Sequence, residues 1–204
     1  ICASNVNNVL TDFINTGIYD RNRQFHTTIS PSMDILISSN LERLLWLIQG
    51  EEKTAECMKL LKETGKYEVS AEVREKIASE FIGCFASDDE TKQTIAETFE
   101  KHSYLIDTHT AVALFAAKKK ATDIPVVTAS TASPYKFAAD VLSALTGNRD
   151  NGNDFFRILR ELNAKTGAAV PRPLAALENK TRRFTTSVGK SKDEMFAEVA
   201  KFAD

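Results

Sequence analysis

The sequence predicts a helix-rich α/β chain, and three observations carry that prediction. Apolar residues recur at three and four positions through most of the chain, the spacing of amphipathic helices. Ile1-Cys2-Ala3-Ser4 reads as the end of a strand, and Ile124–Ala129, short and β-branched, as a buried strand between helices. Two strands are too few for a complete doubly wound sheet, so the pattern reads as part of a larger fold.

Each element has a local reason. Asn5 or Asn7 is expected to cap a helix running to Thr16, with Leu10, Phe13 and Ile14 on one face and Gly17 as its stop. Tyr19–Ile29 is polar and turn-rich. Ser30-Pro31-Ser32 is expected to open a second helix. Its apolar face would hold Met33, Leu36, Ile37, Leu41, Leu44, Leu45 and Ile48, and Gly50 would end it. Further helices are expected over 52–64 before Gly65, and over 71–81 behind Ser70. Ser87 followed by Asp88-Asp89-Glu90 opens another to His102, because acids favour a helix N-terminus. A helix from Asp107 or Thr108 to Lys119 follows, ending in the Lys118-Lys119-Lys120 triplet. Pro134 at a first turn opens a helix to Leu145. Gly147–Gly152 reads as a loop, and helices over 154–163 and 192–202 close the chain. Phe155, Phe156 and Trp46 fall at core spacing and read as packing residues.

Composition narrows the function classes. The 204 residues are 43% hydrophobic and 26% charged, the make-up of an ordinary globular protein. With 26 basic and 28 acidic residues the net charge is −2, which gives no reason to expect a nucleic-acid or anionic-membrane binder. No apolar run approaches the roughly 20 residues that span a bilayer. Cys2, Cys57 and Cys84 form neither a disulfide framework nor a zinc-spaced pair, and read as reduced thiols of a cytoplasmic chain. No GxGxxG or P-loop is present, and His26, His102 and His109 have no metal-ligand spacing.

Three loops cluster polar groups. Ser4-Asn5-Val6-Asn7-Asn8 follows the opening strand, where ligands of α/β sheets bind; it also reads as an Asn-rich helix cap. Thr27–Asp34, continuing to Ser38-Ser39-Asn40-Leu41-Glu42-Arg43, offers hydroxyls and N–H groups to an anion, with Asn40 and Arg43 on one helix face. Capping by Ser32 and Asp34 is the plainer reading. Thr128-Ala129-Ser130-Thr131-Ala132-Ser133-Pro134 joins a strand to a helix with four hydroxyls. It suits either a capped turn or a small polar ligand such as a heterocycle nitrogen.

Four segments, in order, resemble the threonine synthase family of bacteria and fungi. The most specific is Ser30-Pro31-Ser32-Met33-Asp34-Ile35 with Ser38-Ser39-Asn40 and Glu42-Arg43-Leu44-Leu45. Ala3-Ser4-Asn5 through Thr16-Gly17-Ile18-Tyr19, Asp107-Thr108-His109-Thr110-Ala111 and Ser130-Thr131-Ala132-Ser133-Pro134-Tyr135-Lys136-Phe137 also resemble its motifs. In the third, Thr108 stands where the family has Pro. The resemblance covers about residues 1–145, with an echo at Val170-Pro171.

The resemblance implies the tryptophan-synthase-β-like fold, type II of the pyridoxal-phosphate enzymes, in part. Residues 1–146 would be the C-terminal part of the catalytic domain, with a helical insertion at 52–102, and 147–204 a helical extension. It implies pyridoxal 5'-phosphate as cofactor and conversion of O-phospho-L-homoserine and water to L-threonine and phosphate. By motif position Thr131, or else Ser130, would face the cofactor's ring nitrogen. The anionic substrate needs donors, for which Asn5, Ser39, Asn40 and Arg43 are candidates. The family's Schiff-base lysine and glycine-rich phosphate loop belong to a more N-terminal part, so this chain alone is expected to be inactive. A non-catalytic helical binding module derived from the same fold is the alternative, while threonine dehydratase fits the SPSMDI run less well.

Overall fold

The computed structural model describes residues 1–120, 123–148 and 154–202, in two compact units, Ile1–Val170 and Pro171–Asp204. The first begins with β1 (Cys2–Ser4), whose chain turns into α1 (Val9–Thr16). Gly17 ends α1 in the left-handed region, at φ 80°, and its N–H closes on the Phe13 carbonyl at 2.7 Å. β2 (Ile18–Asp20) follows at once. Helix α3 (Glu51–Thr64) repeats the device: Gly65, φ 78°, releases the chain into β3 (Lys66–Glu68). The two strands pair antiparallel with Tyr19 opposite Tyr67. Their rings stack 5.2 Å apart, with Phe13 edge-on to both at 5.8 and 5.9 Å. Val9, Leu45, Leu61, Val73 and Ile77 complete this core. Sequence periodicity missed β2 and β3 because three residues are too few to show a period of two.

Between β2 and α3 lies α2 (Ser39–Gln49), preceded by a single 3-10 turn at Pro31–Met33. The helix expected from Ser30 therefore starts at Ser39, behind the cap Ser38, whose hydroxyl accepts from the Leu41 N–H at 3.3 Å. Residues 34–37 are held by tertiary bonds instead of helical ones. Asp34 takes hydrogen bonds from three other residues, and the Leu36 carbonyl accepts from the Tyr19 hydroxyl at 3.0 Å. Leu41 and Leu45 are the buried positions of α2, whereas Trp46, one position beyond Leu45, points away and is 55% exposed. It is not a core residue.

α4 (Ala71–Glu80) leads to β4 (Gly83–Phe85), which lies parallel to β1 with Cys2 opposite Gly83 and Ser4 opposite Phe85. Thr11 of α1 stitches the pair, donating to the Cys84 carbonyl at 2.9 Å. Gly83 is required there: a Cβ would stand 2.8 Å from the Thr11 carbonyl oxygen. α5 (Asp88–His102) begins with a complete capping box between Ser87 and Glu90. α6 (Thr108–Lys119) and α7 (Ala138–Thr146) both pack on α5, and α8 (Phe155–Thr166) packs on α7. Pro134–Phe137 forms a 3-10 turn ahead of α7 rather than its first helical turn. In α8 the buried residues are Ile158, Leu159 and Leu162, while Phe155 is 40% exposed, against its expected packing role.

Ile124–Ala129 is not a strand: Ile124 lies in a bend and 125–129 has no regular secondary structure. No described strand pairs with it, and Val127 is 95% exposed, so its apolar β-branched sequence has no ladder to join. The loop expected at Gly147–Gly152 lies outside the described residues from 149 on. The second unit holds the short helix α9 (Arg172–Ala175) and α10 (Lys192–Ala200), with Phe184 and Phe202 in edge contact at 6.0 Å.

Candidate functional site

The chain leaves the C-terminal end of β1 as a tight polar turn. Asn5 is buried there, and its amide nitrogen donates to Thr28 Oγ1 at 2.8 Å and Asp34 Oδ1 at 2.7 Å, with the Ser30 carbonyl and hydroxyl at 3.3 and 3.2 Å. Its oxygen accepts from the Asn7 backbone at 2.9 Å. Asn7 in turn donates to the His26 carbonyl at 2.8 Å and accepts from the His26 N–H at 2.9 Å. Asp34 completes the hub by accepting the Thr28 N–H at 3.0 Å and hydroxyl at 2.7 Å. The two segments that sequence alone reads as separate caps thus hold each other. An extended loop whose backbone has no secondary structure gets its partners this way.

The same loop reaches α6. The Ser32 N–H donates to His109 Nε2 at 3.0 Å. His109 Nδ1 lies 3.0 Å from Asp107 Oδ2, and Phe137 packs on the ring with centroids 4.5 Å apart. Asp107 is the N-cap of α6 and is 1% exposed. It also accepts the backbone N–H groups of His109 at 2.9 Å and Thr110 at 3.2 Å, and the Thr110 hydroxyl. Burial pushes its carboxyl pKa up, but the bonds from His109 and Thr110 outweigh burial and hold it below the ordinary value. From Thr110 the line continues to Ser130, hydroxyl to hydroxyl at 2.9 Å. Sequence reasoning started this helix at Asp107 or Thr108; that Asp107 is the cap, and that it also links two loops, needed the fold.

Ser130 and Thr131 are both exposed, with Ser133 capping the 3-10 turn that follows by accepting from the Tyr135 N–H. The residues just before them in the chain line a cavity. Ile1, Ala3, Met33, Ala113, Ala117 and the stretch Val126–Ala129 line an open cavity of about 290 Å³ beside β1. Ser39, Asn40 and Arg43 form a different group on the first turns of α2. All three are exposed, the Arg43 guanidinium donates to the Asn40 side chain, and Ser39 and Arg43 border a shallow cavity with Glu42, Trp46 and Thr54. The bonded line through Asp107 takes in Asn5 and Ser130 but not these three. Among the described residues no cluster of His, Cys, Asp or Glu could hold a metal ion, and no helix is long and apolar enough to cross a membrane. The exposed hydroxyls of Ser130 and Thr131, which follow the cavity-lining stretch Val126–Ala129 in the chain, fit the ring-nitrogen end of a flat heterocycle. The sequence has no GxGxxG or P-loop for a phosphate.

Comparison with known proteins gives this arrangement a family context. The model of the C-terminal domain of threonine synthase matches residues 110–202. Human threonine synthase-like 1 is 40% identical over 149 residues, which is 71% of this chain and 20% of that protein. The crystal structure of yeast threonine synthase superposes with a TM-score of 0.79 at 30% identity, covering 98% of this chain and 42% of that one. A pyridoxal-phosphate-bound threonine synthase from Brucella melitensis gives 0.67 at 34% identity, covering 78% and 34%. The chain therefore spans about a fifth of that curated relative and less than half of either solved structure. Its fold is that of these type II pyridoxal-phosphate enzymes, in a helix-rich part with two small sheets among the described residues.

Proposed function

We propose that the chain, whose residues 110–202 match the model of the C-terminal domain of threonine synthase, forms the C-terminal part of an enzyme converting O-phospho-L-homoserine and water to L-threonine and phosphate. The observation that supports this most is the Ser130-Thr131 turn, whose exposed hydroxyls are carried on a loop tied to the N-terminus of α6. Pyridoxal phosphate, when bound, supplies the electron sink that acidifies the substrate's C–H bonds.

The chain's own residues take the following roles in this reading. Thr131 meets the ring nitrogen with a hydroxyl, and Ser130 supports or replaces it. A neutral hydroxyl donates or accepts one hydrogen bond but adds no charge to hold that nitrogen protonated. Ile1, Ala3, Met33, Val126 and Val127 in the cavity beside β1 would offer the ring face an apolar wall. Arg43, Ser39 and Asn40 offer donors to an anionic substrate, and Asn5 shapes the turn after β1. The lysine that anchors the cofactor is assigned to none of the positions in this chain. A small-molecule substrate and a cytoplasmic location go with the reading.

Thr131→Val tests it in the full gene product. The variant keeps the side chain's shape and removes its hydroxyl. It is expected to shift the cofactor's absorption and lower turnover of O-phospho-L-homoserine by about tenfold, the worth of one lost hydrogen bond. An unchanged spectrum and unchanged phosphate release would refute the assignment. A gene product that releases no phosphate from this substrate would point to the non-catalytic alternative.

A further inference from the structure

Two turns proposed to serve the site meet at one carboxylate. From Asp107 Oδ2 the contacts run to His109 Nδ1, and from His109 Nε2 to the Ser32 N–H of the loop that holds Asn5. From Asp107 Oδ1 they run through the Thr110 hydroxyl to Ser130. Every group pointing at Asp107 is a donor: two backbone N–H groups, an imidazole N–H and a hydroxyl. Only an ionised carboxylate satisfies all of them, since it alone brings acceptors on both oxygens.

The imidazole's state follows from the same bonds. Ser32 N–H donates to Nε2, so Nε2 carries no proton, and the proton of the neutral ring sits on Nδ1, facing Asp107. An imidazole with its proton on Nε2 would set two donors against each other at Ser32. The tautomer is therefore part of what holds the Ser30–Asp34 turn in place.

We propose that Asp107 is a positioning residue of this site, fixing the His109 tautomer that clamps the Ser32 turn and, through Thr110, the place of the Ser130 hydroxyl. It touches neither cofactor nor substrate; it acts through His109 and Thr110. The Thr110 arm rests on the pyridoxal-phosphate reading above, whereas the His109 arm does not.

The test uses the full gene product with ¹⁵N-labelled histidine and three variants. The wild-type His109 resonances should show a protonated Nδ1 and an unprotonated Nε2. Asp107→Asn, which must turn an NH₂ toward one of these donors, should shift the ring toward the other tautomer. Thr110→Val should leave the His109 resonances where they are, yet raise the Kd for pyridoxal phosphate about tenfold, and Thr110→Ser should restore it. A purely structural Thr110 would not be rescued selectively by the hydroxyl. A wild-type ring protonated on Nε2, or Thr110→Val binding the cofactor as the wild type does, would overturn the proposal. If Asp107→Asn does not fold, the wild-type spectrum and the Thr110 pair still decide it. If the wild-type protein binds no pyridoxal phosphate, the cofactor reading fails, and the His109 spectra alone then support or overturn the anchor.

Discussion

At the level of single residues, burial separates the polar side chains by role. Asn5 and Asp107 are 1% exposed and their hydrogen-bonding capacity is taken up within the protein, so they shape loops. Ser130, Thr131, Ser39, Asn40 and Arg43 are exposed and have capacity to meet a ligand. Asp107 also has a pH signature. Its folded pKa lies below the unfolded value of about 3.9, so the unfolded state binds the proton more readily. Its contribution to stability is then complete above about pH 5 and is lost as the pH falls through about 3.9 to the lower folded value. In urea unfolding followed against pH, Asp107→Asn should be less stable than the wild type near neutrality, and the gap should close in acid. A gap independent of pH would contradict the lowered value. That a helix starts at Asp107 or Thr108 was readable from Asp-Thr-His-Thr; that Asp107 serves Ser32 and Ser130 was not, because those partners are 75 and 23 positions away in sequence.

Among the elements, those with strong end signals follow the sequence closely. Ser87 with Glu90, Ser70 before α4, and Gly17 and Gly65 behind α1 and α3 stand where local chemistry puts them. Ser87→Ala removes one half of the capping box and should cost about 1 kcal/mol, read as a lower midpoint in thermal or urea unfolding. An unchanged midpoint would mean that α5 is held by its packing alone. Elements without such signals went astray. Ser30-Pro31-Ser32 has the composition of a helix start, but Asp34, two positions after Ser32, is drawn into the Asn5 hub. Ile124–Ala129 has the composition of a strand and no partner among the described residues.

Across the whole molecule, many large apolar side chains stand exposed. Ile1, Phe85, Val126 and Val127 are exposed, and β1 and β4 form only a two-stranded sheet with open edges. Unpaired edges and exposed apolar residues together favour association. Size-exclusion chromatography of the 204-residue chain should therefore show an apparent mass above that of one copy, rising with concentration. A single monomer peak at every concentration would show that these surfaces are covered from within the chain.

The amino-acid sequence by itself determined where most helices lie, how they end, and which family's motifs the chain carries. These depend on neighbours a few positions apart, which can meet through local backbone conformation without any tertiary contact. Only the tertiary structure decided which polar residues are spent internally and which remain available. That choice depends on groups brought together from distant positions, as when Ser32, Asp107 and Ser130 are joined through His109 and Thr110. A buried hydrogen-bonding group must find its partner wherever the fold delivers one.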